Sequence, residues 1–268
     1  MRQNISKLVT SMLEGDSIAL ARLITSVERE SQYAPEILDM IPLRPRKAYC
    51  IGITGAAGTG KSTLIDKLTT IIRSKGLSVG IIAVDPSSAI TGGAVLGDRI
   101  RMQNHWLDDG VFIRSMATRG SYGGLSKAIN ATVQLLDASG KDIIIIETTG
   151  VGQTEVGVAE VADSIAVVMV PGLGDIIQLM KAGFIEIADV IVINKTDQPG
   201  AENLASEIRE TLMLAPDRAQ PPIVMTQATD GSGIEDLYQQ LEKRRSVPKS
   251  QYKRGYTGRV DGVSFIGE

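Results

Sequence analysis

Apolar positions along this chain change period three times, and each change marks a different kind of element. Near the N-terminus Ile5, Leu8 and Met12, then Ile18, Leu20, Leu23, Ile24 and Val27, recur at helical spacing. Gly15-Asp16-Ser17 separates the two groups, so Asp16 or Ser17 is placed to cap a second helix. A polar stretch with Pro42 and Pro45 then reads as a linker, with Arg44, Arg46 and Lys47 interleaved. Such a basic linker either touches a nucleotide or partner or is a solvated connection.

From residue 49 the pattern becomes short, unbroken apolar runs separated by helical stretches. The runs are 49–54, 79–84, 111–113, 142–146, 164–170, 190–194 and 222–225. Helices are expected over 61–75, ended by Gly76, over 124–138, ended by Gly140, and over 234–245. Continuous β-branched runs, as opposed to alternating ones, are buried on both faces. Alternation with helices gives an α/β three-layer sandwich with a mainly parallel sheet of about seven strands and a short N-terminal helical extension. The expected organisation is a helical extension and linker over 1–47, the sheet domain over 48–245, and a polar tail over 246–268.

Composition narrows this picture only a little. The 268 residues are 43% hydrophobic but only 4% aromatic, so the core is built from aliphatic side chains. The net charge of −3 gives no sign of non-specific nucleic-acid binding. The single cysteine, Cys50, falls in the first strand and reads as a buried side chain. Lys7, Glu14 and Asp16 interrupt any signal-peptide pattern, and no apolar run reaches membrane-spanning length. The expectation is a cytoplasmic protein with no membrane partner.

The chemistry begins at Gly55-Ala56-Ala57-Gly58-Thr59-Gly60-Lys61-Ser62-Thr63, directly after the first strand. This matches G-x-x-x-x-G-K-[ST] between a strand and a helix. Its glycines let backbone N–H groups approach a polyphosphate, and the following helix dipole favours the same charge. Lys61 is placed to reach the β- and γ-phosphates and Ser62 to offer its hydroxyl to magnesium. Asn194-Lys195-Thr196-Asp197 follows a later strand. There Asp197 accepts from the ring N–H and exocyclic amine of guanine, Asn194 ties the base loop to the phosphate loop, and the Lys195 stem covers the base. A carboxylate left buried and unpaired makes adenine costly by roughly 1–3 kcal/mol or more. After residue 225, Gln227 and Ala228 are expected to offer backbone N–H groups to the guanine carbonyl. Together these motifs point to a GTPase that uses GTP, yields GDP and needs Mg2+.

Two strand ends carry acids. Asp85 either contacts magnesium, holds a magnesium-bound water, orients the attacking water, or caps the turn at Pro86-Ser87-Ser88. Glu147 precedes Thr148-Thr149-Gly150, placing a carboxylate near the metal and the Gly150 N–H near the γ-phosphate. Gln153 either positions water or is a polar loop residue. Between Thr91 and Met102, Asp98 is a further candidate for the metal shell, and Arg99 or Arg101 for phosphate; an ordinary glycine-rich lid with a surface ion pair is the other reading. His105, the only histidine, is expected on the surface or facing a partner.

These residues also carry a resemblance to the MeaB/ArgK (MMAA-like) family of P-loop GTPases, over about residues 8–245. Its most specific pieces are Val84 to Ser88, Gly92-Gly93 through Leu96-Gly97-Asp98-Arg99, Glu147 to Gln153, Pro171 to Asp175, and Asn194 to Asp197. The resemblance implies a slow, homodimeric GTPase acting as chaperone or gate for an adenosylcobalamin-dependent acyl-CoA mutase, such as methylmalonyl-CoA mutase. It also implies that Ser62, Asp85, Asp98 and Glu147 form the magnesium and switch apparatus. The chain departs from the family pattern at Thr149, where valine is usual, and at Ile176, where an acid is usual. Most of the family's C-terminal helical arm is also missing from this sequence. A metallochaperone-type GTPase and a low-turnover nucleotide-dependent assembly protein are the competing expectations.

Overall fold

The computed structural model describes residues 2–29, 34–42, 44–85, 102–117, 122–148, 154–173, 187–214 and 220–246. Seven strands form one sheet: β1 Tyr49–Thr54, β2 Val79–Asp85, β3 Val111–Ala117, β4 Ile143–Glu147, β5 Ser164–Met169, β6 Val190–Ile193 and β7 Ile223–Met225. Their order is β3-β2-β4-β1-β5-β6-β7, and every ladder is parallel. β1 therefore sits at the centre, between β4 and β5, and all strand C-termini open at one end of the sheet.

Strict alternation inside the strands divides the core into two faces. Ile51, Ile53, Ile143, Ile145, Val168 and Val192 point to one face. There they meet Leu64, Ile65, Leu68 and Ile72 of α4 (Lys61–Ser74), and Ile234, Leu237 and Leu241 of α8 (Ile234–Arg245). Cys50, Ile144, Ile146, Val167, Ile191 and Ile193 point to the other. That side is covered by α5 (Tyr122–Ala138), α6 (Thr154–Val161) and α7 (Ala201–Met213). Both faces are covered, which is why the strands read as unbroken apolar runs.

The N-terminal helices α1 (Arg2–Leu13), α2 (Ser17–Glu28) and α3 (Ala34–Asp39) join this second cluster through Met12, Leu20, Leu23, Ile24 and Ile37. Asp16 caps α2, its Oδ1 accepting from Ile18 N at 2.8 Å and Ala19 N at 3.2 Å. Among the described residues, no helix is long and apolar enough to cross a membrane.

Two expectations are corrected. β3 runs to Ala117 and not only to Ile113, in register with the whole of β2 from Val79↔Val111 to Asp85↔Ala117. Arg114 hides this length in the sequence, because its charge looks like a strand break. In the fold it pairs with Glu28 of α2 at the sheet edge. The basic linker is exposed at Arg44 and Lys47, as a solvated connection would be, but it is fastened to the domain and lies away from the phosphate loop, so it does not touch a nucleotide there. Arg44 donates to the Asp137 carbonyl at 3.0 Å, and Arg46 donates to Val161 O at 2.9 Å and pairs with Asp163. Asp137 Oδ1 also accepts from Lys47 N at 2.9 Å and Ala48 N at 2.7 Å. The linker is thereby fastened beneath the N-terminal ends of the strands.

Candidate functional site

The phosphate-loop sequence bridges β1 and α4 at the centre of the open sheet end. Gly55 takes φ +144°, and a Cβ there would run into the Val168 carbonyl of β5. Gly60 caps α4 at φ +87°, and a Cβ there would lie 2.5 Å from Asn194 Nδ2. Both positions exclude a side chain on two grounds, backbone conformation and contact. Thr59 Oγ1 donates to Ala56 O at 2.9 Å and steadies the turn. Ala57, Gly58 and Thr63 are at the solvent-facing side, Gly58 with φ +81°.

Lys61 and Ser62 open α4 and are buried, 7% and 6% exposed. The Lys61 ammonium donates to Gly55 O at 2.7 Å and Ala56 O at 3.0 Å. It is thus folded back over its own loop, held by carbonyl dipoles where phosphate oxygens would be stronger acceptors. Ser62 Oγ donates to Glu147 Oε1 at 2.8 Å. Glu147 ends β4, beside Ile53 of β1 and Ala83 of β2, and is also buried. A hydroxyl and a carboxylate at this junction are hard oxygen donors, the class that magnesium takes. Asp85 ends β2 on the same side of the sheet. Asp98, Gly150 and Gln153 lie outside the described residues.

The second motif meets the first through one side chain. Asn194, 2% exposed, donates from Nδ2 to Thr59 O at 2.8 Å. Its Oδ1 accepts from Ala228 N at 3.0 Å and Thr226 Oγ1 at 3.1 Å. Three loops that follow β1, β6 and β7 are joined by this amide. Lys195 adopts φ 59°, rare for a residue with a Cβ, and turns the chain so that Asp197 stands exposed beside the site. The carboxylate is therefore open to solvent, and the desolvation that penalises a wrong base arises only once a base covers it.

The loop over 226–228 differs from expectation. Thr226 N donates to Ile193 O at 2.8 Å, Gln227 N to Ser232 O at 3.0 Å, and Ala228 N to Asn194 Oδ1. These amides are not waiting donors in this state, because the short Gln227↔Ser232 bridge and the Asn194 amide already use them.

His105 is corrected outright. It is 6% exposed, on a 3-10 turn packed against α4. Its Nε2 lies 3.1 Å from the Asp66 carbonyl, which can only accept, so Nε2 carries a proton; Asp66 Oδ1 is 3.3 Å away. Arg73 forks onto both carboxylate oxygens of Asp108 at 2.8 Å, and this bonding holds the Asp108 carboxyl below its usual range. These contacts fasten residues 102–110 along the phosphate-loop helix. Sequence reading also missed Thr54 and Thr148, whose hydroxyls bond at 2.8 Å between the ends of β1 and β4. Their positions, Thr54 as the last residue of β1 and Thr148 just past β4, were the available signal.

Comparisons with known proteins agree with this geometry. A solved structure named LAO/AO transport system kinase superposes with a TM-score of 0.70 at 26% identity, covering 91% of this chain and 76% of that one. A Pyrococcus abyssi relative is 51% identical over 246 residues, 90% of this chain and 76% of its own length. GTPase ArgK of Escherichia coli is 34% identical over 244 residues, 87% of this chain and 74% of its own. The family described as methylmalonyl-CoA mutase-associated GTPase MeaB matches residues 20–259. With its phosphate loop, its strand-end carboxylate and its Asn194–Asp197 loop gathered at one end of a parallel sheet, the chain belongs to the MeaB family of P-loop GTPases.

Proposed function

We propose that this GTP-hydrolysing protein acts as a chaperone or gate for an adenosylcobalamin-dependent acyl-CoA mutase, such as methylmalonyl-CoA mutase. The observation that carries the reading is the family match across 20–259, which spans every site residue described above. The loop amides of Gly55 to Thr63 line the polyphosphate. The Lys61 ammonium leaves the Gly55 and Ala56 carbonyls for the β- and γ-phosphates. Ser62 and Glu147 would hold Mg2+, and Asp85 and Asp98 would complete its surroundings directly or through water. When bound, the metal neutralises charge on the β- and γ-phosphate oxygens. Gly150 N–H reads the γ-phosphate.

At the base end, Asp197 accepts from guanine, the Lys195 stem covers the ring, and Asn194 braces the pocket. Gln227 and Ala228 meet the guanine carbonyl by exchanging their present partners. The protein works as a homodimer in the cytoplasm, slow on its own and faster when the mutase completes the site. Linkage then requires GDP and GTP states to differ in mutase affinity.

Phosphate release from GTP, measured with and without the candidate mutase, tests this. Stimulation by the mutase, with unequal binding under GDP and a non-hydrolysable GTP analogue, is the expected result. Equal binding and no stimulation overturn the chaperone role while leaving the GTPase itself intact.

A further inference from the structure

Two basic stretches far apart in the sequence meet at the end of the sheet opposite the phosphate loop. Arg46 and Lys47 lead into β1, and Arg244 and Arg245 close α8. With Tyr49 and Asp163 they line an open hollow of about 430 Å3. Four cations line it with Asp163, and Asp189 and Glu242 pair two of them from beside it, so one positive charge is left over in a chain whose net charge is −3. β1 alone separates this hollow from the phosphate loop, roughly 20 Å for a six-residue strand.

The cations fall into two kinds. Arg46 is fixed by Val161 O and Asp163, and Arg244 by Asp189, which is 4% exposed. Their charge is balanced by those carboxylates, and their planar forks are preset in orientation, with N–H donors already fixed. Lys47 and Arg245 are looser. Lys47 is exposed, and its backbone N–H, not its ammonium, is what Asp137 binds. Arg245 lies over the Tyr49 ring, 5.7 Å from its centroid. It also meets Glu242 at 3.4 Å in a surface pair, of the kind that contributes little.

Tyr49 forms a wall and not a donor, since its hydroxyl is engaged by Ser164 and by Leu241 O. Burial pushes that phenol up to about 12, so the wall stays uncharged at working pH. The sequence after α8 carries charge of the same sign as the hollow. Residues 247–268 carry Lys249, Lys253, Arg254 and Arg259 against Asp261 and Glu268, an excess of the same sign. A small-molecule pocket spans about 300–1,000 Å3, and a charge-dense anion suits guanidinium forks best.

We propose that this hollow is a second ligand site, specific for a small phosphate-bearing anion and separate from the GTP site. Arg46 and Arg244 provide preset N–H donors, and Lys47 and Arg245 supply the charge by closing on the phosphate oxygens.

The test is calorimetric titration of the full chain with pyrophosphate. GDP is kept saturating so that the phosphate loop is filled, and EDTA removes metal that pyrophosphate would chelate. The expected result is saturable binding of one pyrophosphate per chain. Lys47→Glu and Arg245→Glu should each weaken it at least tenfold, with GDP affinity and thermal midpoint unchanged. Sulfate at equal ionic strength should compete only weakly. Absence of saturable binding at millimolar pyrophosphate overturns the proposal, and so does binding that survives both substitutions.

Discussion

Ser62 Oγ donates to Glu147 Oε1 at 2.8 Å across 85 positions of sequence. The bond joins the first turn of α4 to the last residue of β4, with both side chains buried. Lys61, one residue away, is held by carbonyls of the same loop. The arrangement holds the oxygens proposed for the metal and the ammonium proposed for the phosphates side by side. Ser62→Ala and Glu147→Gln are each expected to cut magnesium-dependent GTP turnover about 100-fold while GDP still binds. GDP titrations with and without magnesium, run beside phosphate-release assays, check this. Full turnover in either variant removes that residue from the metal site.

Asp197 is exposed, so changing it should not alter folding. Asp197→Asn is expected to weaken guanine nucleotides by roughly 1–3 kcal/mol and to favour xanthine nucleotides, whose ring edge suits an amide. Competition of GDP, ADP and xanthosine diphosphate for the wild type and the variant reads this directly. Equal wild-type affinity for ADP and GDP would sink the assignment.

Asn194 holds three loops at once. Asn194→Ala leaves the Ala228 N–H without its acceptor, leaves the Thr226 hydroxyl only Ile193 O at 3.5 Å, and frees Thr59 O. The expected loss is roughly 2–4 kcal/mol of stability in nucleotide-free protein, with weaker GDP binding besides. Urea unfolding measures the first term; an unchanged midpoint would show that the tether carries no load.

Tyr49 makes alkaline stability informative. Burial, with Asp189 and Asp163 nearby, lifts its phenol from 10.0 to about 12, so the folded state holds this proton more tightly than the unfolded chain does. The contribution is complete below pH 10 and fades as pH rises from about 10 to about 12, by roughly 2–3 kcal/mol. Tyr49→Phe should be less stable near neutrality, having lost its bonds to Ser164 and Leu241 O, but should show a shallower alkaline decline. Parallel pH profiles for the two proteins would refute the assignment.

Local patterns carried most of the fold. Gly76 and Gly140 take φ +78° and +85° just past their helices, and α8 spans Ile234–Arg245 as its apolar spacing predicts. The phosphate loop and Asn194–Asp197 were legible because each is a contiguous motif after a strand. What escaped was set by partners distant in sequence. Arg114 looks like a strand end until Glu28 is brought beside it. His105 looks like a surface residue until Asp66 supplies a buried acceptor. Arg46 looks solvated until Asp163 and Val161 O arrive. The occupied amides of Gln227 and Ala228 depend on Ser232 and Asn194, which no spacing rule connects to them.

The all-parallel sheet has a consequence for synthesis on the ribosome. Among the described residues no two strands are joined by a hairpin, and the paired strand residues nearest in sequence are Ala166 and Val190. β1 is the extreme case, because Tyr49 pairs with Ile143 and Ile51 with Ser164. At about 5–20 residues per second, β1 waits roughly 5–20 s after emerging before its first neighbour exists. During that interval an apolar strand is unpaired on both edges, and the phosphate loop behind it has neither the Glu147 nor the Asn194 contact. Nucleotide can then stabilise only the late, nearly finished chain, so added GDP should speed the final consolidation of folding but not its slow, non-local beginning.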